Sequence, residues 1–346
     1  MKVTVLGAGA VGATVGGLLK LYDPTVDVLL FGRGEHSRRL QQAGRVVLNG
    51  AWGTRSVPIH ASDDVQDVAG SDYVLVTVKS QGTQKAIEMA APYLGDAVVI
   101  SLQNGINQQV LGRYVRPDRL LMGLTAMNMA VLEPGVVSLR RKGVTVIGPC
   151  SDDVSPEVLN AAVNLLRKAR LPMFPERSIL GAQYNKVLLN TMGYASVLSN
   201  SNFITDGILY RPWRRALALP LLDEGFATLR RAGIPLGRTP GLSDVFRFRN
   251  LLRFFGLPGV SPVVRLLLSR VLRPRPLIYS IYPDLIRGRK TEIEYVNGEI
   301  VRLAQQHGGS APFNALVVDM VHELEGQAEV QWFAHDDVIG RFEALR

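Results

Sequence analysis

Cysteine is all but missing from this chain of 346 residues, where Cys150 is the only one. A single thiol rules out an intrachain disulfide and every Cys-rich zinc pattern. The five histidines (His36, His60, His307, His322 and His335) have no metal-ligand spacing, so no metal is expected. Nowhere does an uncharged apolar run approach the ~18 residues that span a bilayer. The opening MKVTVLGAGAVG has neither the basic start, the apolar run nor the cleavage site of a secretion signal. A cytoplasmic protein is therefore expected. Zinc-finger spacing, RNP-like aromatic strands and basic heptad helices are also missing, so the net charge of +9 is not read as nucleic-acid binding. Of the 39 cations only eight are Lys, and the 31 Arg run along the whole chain with one dense region late on. There is no internal repeat and no low-complexity tract.

What is present is ordinary for a folded protein: 47% hydrophobic and 20% charged residues, in a chain long enough for two cores. In the first half, short apolar runs at 3–6, 27–31, 73–78 and 97–101 read as buried strands, with helices predicted over 11–21 and 83–93. Residues 46–48 and 57–60 read as a short hairpin region, and 121–129 and 143–147 as further strands. Continuous apolar strands alternating with helices predict a parallel sheet covered on both faces. After Pro149 the pattern turns helical, at 156–169, 179–198, 214–232, 291–307 and 311–325, with one extended piece at 171–175. The expected architecture is an α/β Rossmann-type N-terminal domain over 1–174 and a mainly α-helical C-terminal domain over 175–346.

The strongest motif is Gly7-Ala8-Gly9-Ala10-Val11-Gly12, placed after a strand and at the mouth of a helix. Gly7 permits the tight turn, Gly9 lets the backbone approach a pyrophosphate, and Gly12 lets helix and strand pack closely. The helix N-terminus then offers free N–H groups to the phosphates. The competing reading is a Gly-rich turn without a ligand. An NAD-binding domain carries Asp or Glu about 20 residues further on, at the end of the second strand, for the ribose 2′-hydroxyl. Here that stretch reads Leu30-Phe31-Gly32-Arg33, with no carboxylate before Glu35. Arg33 suits a 2′-phosphate, which predicts NADP (NADPH) as cofactor; the alternative is a solvated loop cation.

With these in place, the sequence resembles the ketopantoate reductase family (2-dehydropantoate 2-reductases) over nearly its whole length. The resemblance rests on the glycine motif, Arg33, Val76-Thr-Val-Lys79, Gln103-Asn-Gly105, Asn185-Lys-Val-Leu-Leu-Asn190 and Lys290-Thr-Glu-Ile-Glu-Tyr-Val-Asn-Gly298. It implies a helical second domain like that of 6-phosphogluconate dehydrogenase, and hydride transfer from NADPH to a 2-keto acid. It implies that Lys79 lies near the cofactor, and that Asn104 helps to hold nicotinamide and substrate. By position alone Lys79 reads as a surface lysine and Asn104 as a turn residue.

Reducing a ketone puts negative charge on its oxygen, so a group must polarise that oxygen and deliver a proton. Lys186 is the candidate, since a lysine in a closed site can have its pKa lowered enough to donate near neutrality. Gln183, Lys186 and Asn190 share one helix face, which by pattern alone reads as a solvated stripe. The resemblance assigns Glu292 to the substrate hydroxyl and the catalytic network, and Ser280 to the substrate carboxylate. The sequence places Glu292 in the opening turn of a helix, where it reads equally as a dipole-facing residue. Asn297-Gly298 reads as structural.

Two features depart from the family. Tyr194 stands eight residues after Lys186, where Asn is common, and is expected to contact substrate in a reshaped pocket. An Arg-rich insert, 238–276, holds eight Arg against one Asp; it reads as a helical hairpin, a pocket wall, or, least favoured, an interfacial membrane segment. The expected activity is NADPH-dependent reduction of 2-dehydropantoate to (R)-pantoate. Its rivals are reduction of a bulkier 2-keto acid or imine, and a non-catalytic NADP-binding regulator. The partners expected are a small 2-keto acid and, at most, a second copy of the chain as a homodimer, with neither nucleic acid nor membrane.

Overall fold

The computed structural model describes residues 1–51, 53–237, 241, 243–255 and 279–346. The chain divides into two compact units, one of residues 1–183 with 237–242, the other of 184–236 with 243–346.

The first unit is built on an eight-stranded sheet. Its strands are β1 (Lys2–Leu6), β2 (Asp27–Phe31), β5 (His60–Ser62), β6 (Tyr73–Val76), β7 (Val98–Ser101), β8 (Leu120–Thr125), β11 (Thr145–Pro149) and β12 (Met173–Pro175). They lie in the order β12-β11-β8-β7-β6-β1-β2-β5, all parallel to their neighbours except β8 and β11. Strand side chains alternate in direction, so the two faces feed separate cores. Val3, Val5 and Leu75 join Leu18 and Leu19 of helix α1 (Ala10–Tyr22) on one side. Val74, Val76 and Val99 join Ile87 of helix α3 (Thr83–Ala90) on the other. Helix α2 (Glu35–Ala43) follows β2, and α4 (Pro156–Lys168), capped by Ser155, follows β11.

A second sheet of four strands was not expected. The predicted hairpin forms, as β3 (Arg45–Gly50) and β4 (Arg55–Pro58), but it continues through β10 (Val136–Arg141) to β9 (Asn128–Glu133) in the order β4-β3-β10-β9. The single strand expected over 121–129 is in fact two, β8 and β9, which belong to different sheets. Helix α1 lies between the sheets, and its small residues are the reason it can. A Cβ on Gly16 would press on Leu30 of the large sheet at 2.7 Å, and one on Gly17 on Leu48 of the small sheet at 2.9 Å.

The second unit is helical. Helix α5 (Ile179–Val197) leads into it, followed by α6 (Leu219–Arg231), α7 (Val245–Phe254), α8 (Asn297–Gln306), α9 (Pro312–Leu324) and α10 (His335–Glu343). A wider π-turn, Arg214–Ala218, precedes α6. Glu224 of α6 accepts from the Phe313 and Asn314 amides, at 2.7 and 2.9 Å, and so caps α9 from another helix. Asn297 does prove structural: its amide donates to Asn314 Oδ1, 3.1 Å away. The helix expected over 291–307 is shorter than predicted. A 3-10 turn, Ile293–Tyr295, follows Glu292, and the α-helix begins only at Asn297. Of the insert at 238–276, residues 238–240, 242 and 256–276 lie outside the described residues; its described part contains α7.

Candidate active site

In the first unit, sheet order gathers the candidate cofactor residues. Strands β7, β6, β1 and β2 are consecutive neighbours, and each is followed at its C-terminal end by a candidate. Asn104 follows β7, Lys79 follows β6, the glycine motif follows β1 and Arg33 follows β2. This edge is where open parallel sheets bind ligands.

Each glycine of the motif has its own steric reason. Gly7 has φ +117°, and a Cβ there would meet the Val78 amide nitrogen at 2.5 Å. A Cβ on Gly12 would lie 2.2 Å from the Gly7 carbonyl oxygen and 2.4 Å from Thr77 Oγ1, so helix and strand could not close. Gly9 differs: no atom lies within 4 Å of its would-be Cβ. That exposed backbone stands at the N-cap of α1, where no side chain caps the helix and no acidic residue occupies the first turn. Ala8 is buried, Ala10 and Val11 partly so. Open backbone at an uncapped helix N-terminus fits a pyrophosphate. Arg33 is exposed, between Gly32 and Gly34.

The loops carrying Lys79 and Asn104 are tied together by buried polar side chains that the sequence reading passed over. Gln103 Nε2 donates to the Val78 carbonyl at 2.8 Å and to Thr83 Oγ1 at 2.6 Å. Asn107 Nδ2 donates to the Asn104 carbonyl at 2.9 Å and to Ser80 Oγ at 3.1 Å, and Ser80 Oγ also donates to the Asn104 carbonyl at 2.7 Å. Lys79 is exposed and Asn104 partly buried on this braced frame. The available signal was polar residues crowded at the ends of two largely apolar strands, where a buried polar group needs a partner.

In the second unit, hydrogen bonds bring three candidates together. Tyr194 Oη donates to Glu292 Oε1 at 2.7 Å, Ser280 Oγ donates to the same oxygen at 2.6 Å, and the two hydroxyl oxygens are 2.7 Å apart. Glu292 is buried, so it is no solvated first-turn residue, and it precedes a 3-10 turn rather than an α-helix. Thr291, next to it, is tied by its amide and its hydroxyl to Glu325, both at 2.7 Å. Lys186 is partly buried on α5, and burial lowers its pKa from 10.5 to about 8, while the nearby Glu292 carboxylate opposes the fall. Asn190 lies one turn further on the same helix, also partly buried. No residue of α5 is exposed, so the Gln183–Lys186–Asn190 stripe is not the solvated face that its pattern alone suggested.

Tyr194 is fully buried, with its hydroxyl turned to Glu292 and Ser280. Burial raises its pKa well above 10, and the Glu292 charge adds to the rise, so the phenol stays protonated. Tyr279, which the sequence did not single out, packs edge-on to Tyr194 with ring centroids 6.2 Å apart. Its ring lies so close to Gly193 that a Cβ there would come within 1.9 Å of it. Among the described residues, no group of His, Cys, Asp and Glu could hold a metal ion, and no helix is long and apolar enough to cross a membrane.

Comparison with known proteins identifies the family. The family model for ketopantoate reductase PanE/ApbA matches residues 3–152, and that for its C-terminal domain matches residues 178–325. A 2-dehydropantoate 2-reductase of Pyrococcus horikoshii is 27% identical over 329 residues, covering 94% of this chain and 98% of the relative. A PanE/ApbA family ketopantoate reductase of Ralstonia eutropha, solved by crystallography, superposes with a TM-score of 0.74 at 25% identity, over 98% of this chain and 99% of the other. D-mandelate dehydrogenase, solved with NADH and anilino(oxo)acetate, shares the fold at a TM-score of 0.76 and 20% identity, over 98% and 99% of the two chains. The chain belongs to the ketopantoate reductase family and is an oxidoreductase of the NAD(P)-dependent, Rossmann-type kind.

Proposed function

We propose that this protein reduces 2-dehydropantoate to (R)-pantoate with NADPH, using Lys186 as the proton donor. The observation that carries the reading is Lys186 itself. Its pKa of about 8 lets a substantial part of the lysine be protonated at neutral pH while still able to give the proton up. The names of the full-length relatives support the substrate.

Residues 1–174 act in this reading as the NADP domain and 175–346 as the catalytic domain. The open backbone at Gly9 and the uncapped start of α1 take the pyrophosphate. Arg33 pairs with the 2′-phosphate, where an acidic residue would repel it. When bound, the reduced nicotinamide supplies the hydride for the carbonyl carbon. The Lys186 ammonium polarises the carbonyl oxygen and protonates it as charge develops there. Glu292, near that ammonium, accepts from the substrate hydroxyl. Ser280 faces the substrate carboxylate, while Asn190 and Asn104 orient the reactants. A cytoplasmic address goes with this reading.

A second reading keeps the chemistry and changes the acid. Tyr194 stands where the family commonly has Asn, which favours a pocket of different shape and another 2-keto acid.

The test is NADPH oxidation, followed by loss of its near-ultraviolet absorbance, with 2-dehydropantoate and a panel of larger 2-keto acids. Wild type is expected to turn over 2-dehydropantoate, and Lys186→Ala to lower kcat by about a hundred- to ten-thousandfold. Turnover of a larger acid alone would support the second reading. Tight NADPH binding with no turnover of any acid would refute both and leave a nucleotide-binding regulator.

A further inference from the structure

Two hydroxyls and one carboxylate oxygen form a closed triangle in the second unit, with edges of 2.6, 2.7 and 2.7 Å. Two hydroxyl protons serve three contacts when Glu292 is ionised. However those protons are shared, at least one hydroxyl must donate to Glu292 Oε1, and neither occupies Oε2. Tyr194 has no exposed surface, so its phenol is not placed to meet a diffusing acid. Its ring is held from the side by Tyr279, and Tyr279 is in turn held against Gly193, one residue before Tyr194. The chain segment that carries Ser280 is thereby pinned to α5 beside the tyrosine.

We propose that Tyr194 is a positioning residue: its hydroxyl, acting with that of Ser280, fixes the Glu292 carboxylate beside Lys186 through the single oxygen Oε1. This rests on the reading of Lys186 and Glu292 given above and assigns Tyr194 to the carboxylate in place of the substrate. A buried carboxylate needs donors to stay ionised, and a rigid O–H donor supplies one without a competing charge. The tyrosine serves only as donor, because its own burial keeps the phenol protonated. The charged groups bearing on this cluster come from three segments. Lys186 lies on α5, Asp284 is buried four residues after Ser280 and acts on the Tyr194 phenol, and Glu325 reaches Thr291 next to Glu292. Beyond Glu325, His322 bridges it to Glu294, at 3.1 and 2.7 Å.

The discriminating variant is Tyr194→Phe, which keeps the ring packed on Tyr279 and removes only the hydroxyl. With Lys186 among just eight lysines, carbon-13 labelling of the lysine side chains allows its titration to be followed by NMR, with Lys186→Arg to assign the signal. The Lys186 midpoint, about 8 in wild type, is expected to fall in Tyr194→Phe by roughly half a unit or more. Without the phenol's hydrogen bond the carboxylate is held and ionised less firmly, so its upward pull on the Lys186 pKa weakens. On any acid that wild type turns over, kcat is expected to fall about tenfold, with the pH profile displaced and the NADPH Kd unchanged. A Lys186 midpoint equal to wild type would overturn the proposal, even with a lower Tm, because the tyrosine would then serve packing alone. If wild type reduces no acid in the panel, the proposed activity fails, and the NMR titration still decides the role of Tyr194.

Discussion

Lys186 carries a charge where the protein makes charge costly. Burial pulls its pKa down to about 8, and the neighbouring Glu292 limits the fall. With Lys186 as the proposed proton donor, its acid form is the active one, so reductive kcat is expected to decline as pH rises through about 8. A pH–rate profile checks this, and Lys186→Arg, which cannot lose its proton in that range, should abolish the alkaline limb together with most of the activity. The same shift bears on stability with a definite sign. The folded protein binds this proton less tightly than the unfolded chain, so Lys186's contribution makes the fold more stable as pH rises from about 8 towards 10.5. The sequence could propose Lys186, since the one charged residue of a helix, a Lys in a chain rich in Arg, is conspicuous. It could not supply the pKa, which depends on what surrounds the ammonium.

Elements were legible where their pattern is local. Helix α5 was expected over 179–198 and spans Ile179–Val197, and the first βαβ unit follows directly from an apolar strand, a glycine turn and a small-residue helix. The small sheet was missed because its partners are far apart in the chain. Strand β10 pairs in parallel with β3, Val136 facing Val47, and no short-range pattern announces such a register. Glu292 was misassigned to a helix because an acid just before a polar–apolar run mimics a helix start. The first βαβ unit also gives a sharp prediction. A methyl group on Gly12 would collide with backbone oxygen at 2.2 Å, an atom that cannot swing aside. Gly12→Ala is therefore expected to cost about 1–3 kcal/mol of stability in denaturant melts and to weaken NADPH binding by tenfold or more. A variant as stable and as tight-binding as wild type would show that the helix and strand can separate at no cost.

At the scale of the molecule, cofactor and fold are linked through mass action. NADPH at a hundredfold excess over its Kd is expected to stabilise the protein by about 2.7 kcal/mol, visible as a rise in Tm. NADH at the same concentration should raise Tm less, because Arg33 has no phosphate to meet on its ribose. Arg33→Ala should bring the two shifts together by weakening NADPH about tenfold or more, the worth of a charge-assisted hydrogen bond. Equal shifts in wild type would show that Arg33 does not select NADPH, and a larger shift with NADH would assign the protein to NAD. The two-part organisation and the oxidoreductase chemistry could be read from the chain alone, because glycine turns, strand–helix alternation and short motifs act over a few residues. The Tyr194–Ser280–Glu292 triangle could not, since its members are 86 and 98 residues from Tyr194 and meet only through the path of the folded chain. A hydrogen bond at 2.7 Å is decided by where backbones come to rest, and sequence spacing carries no record of that.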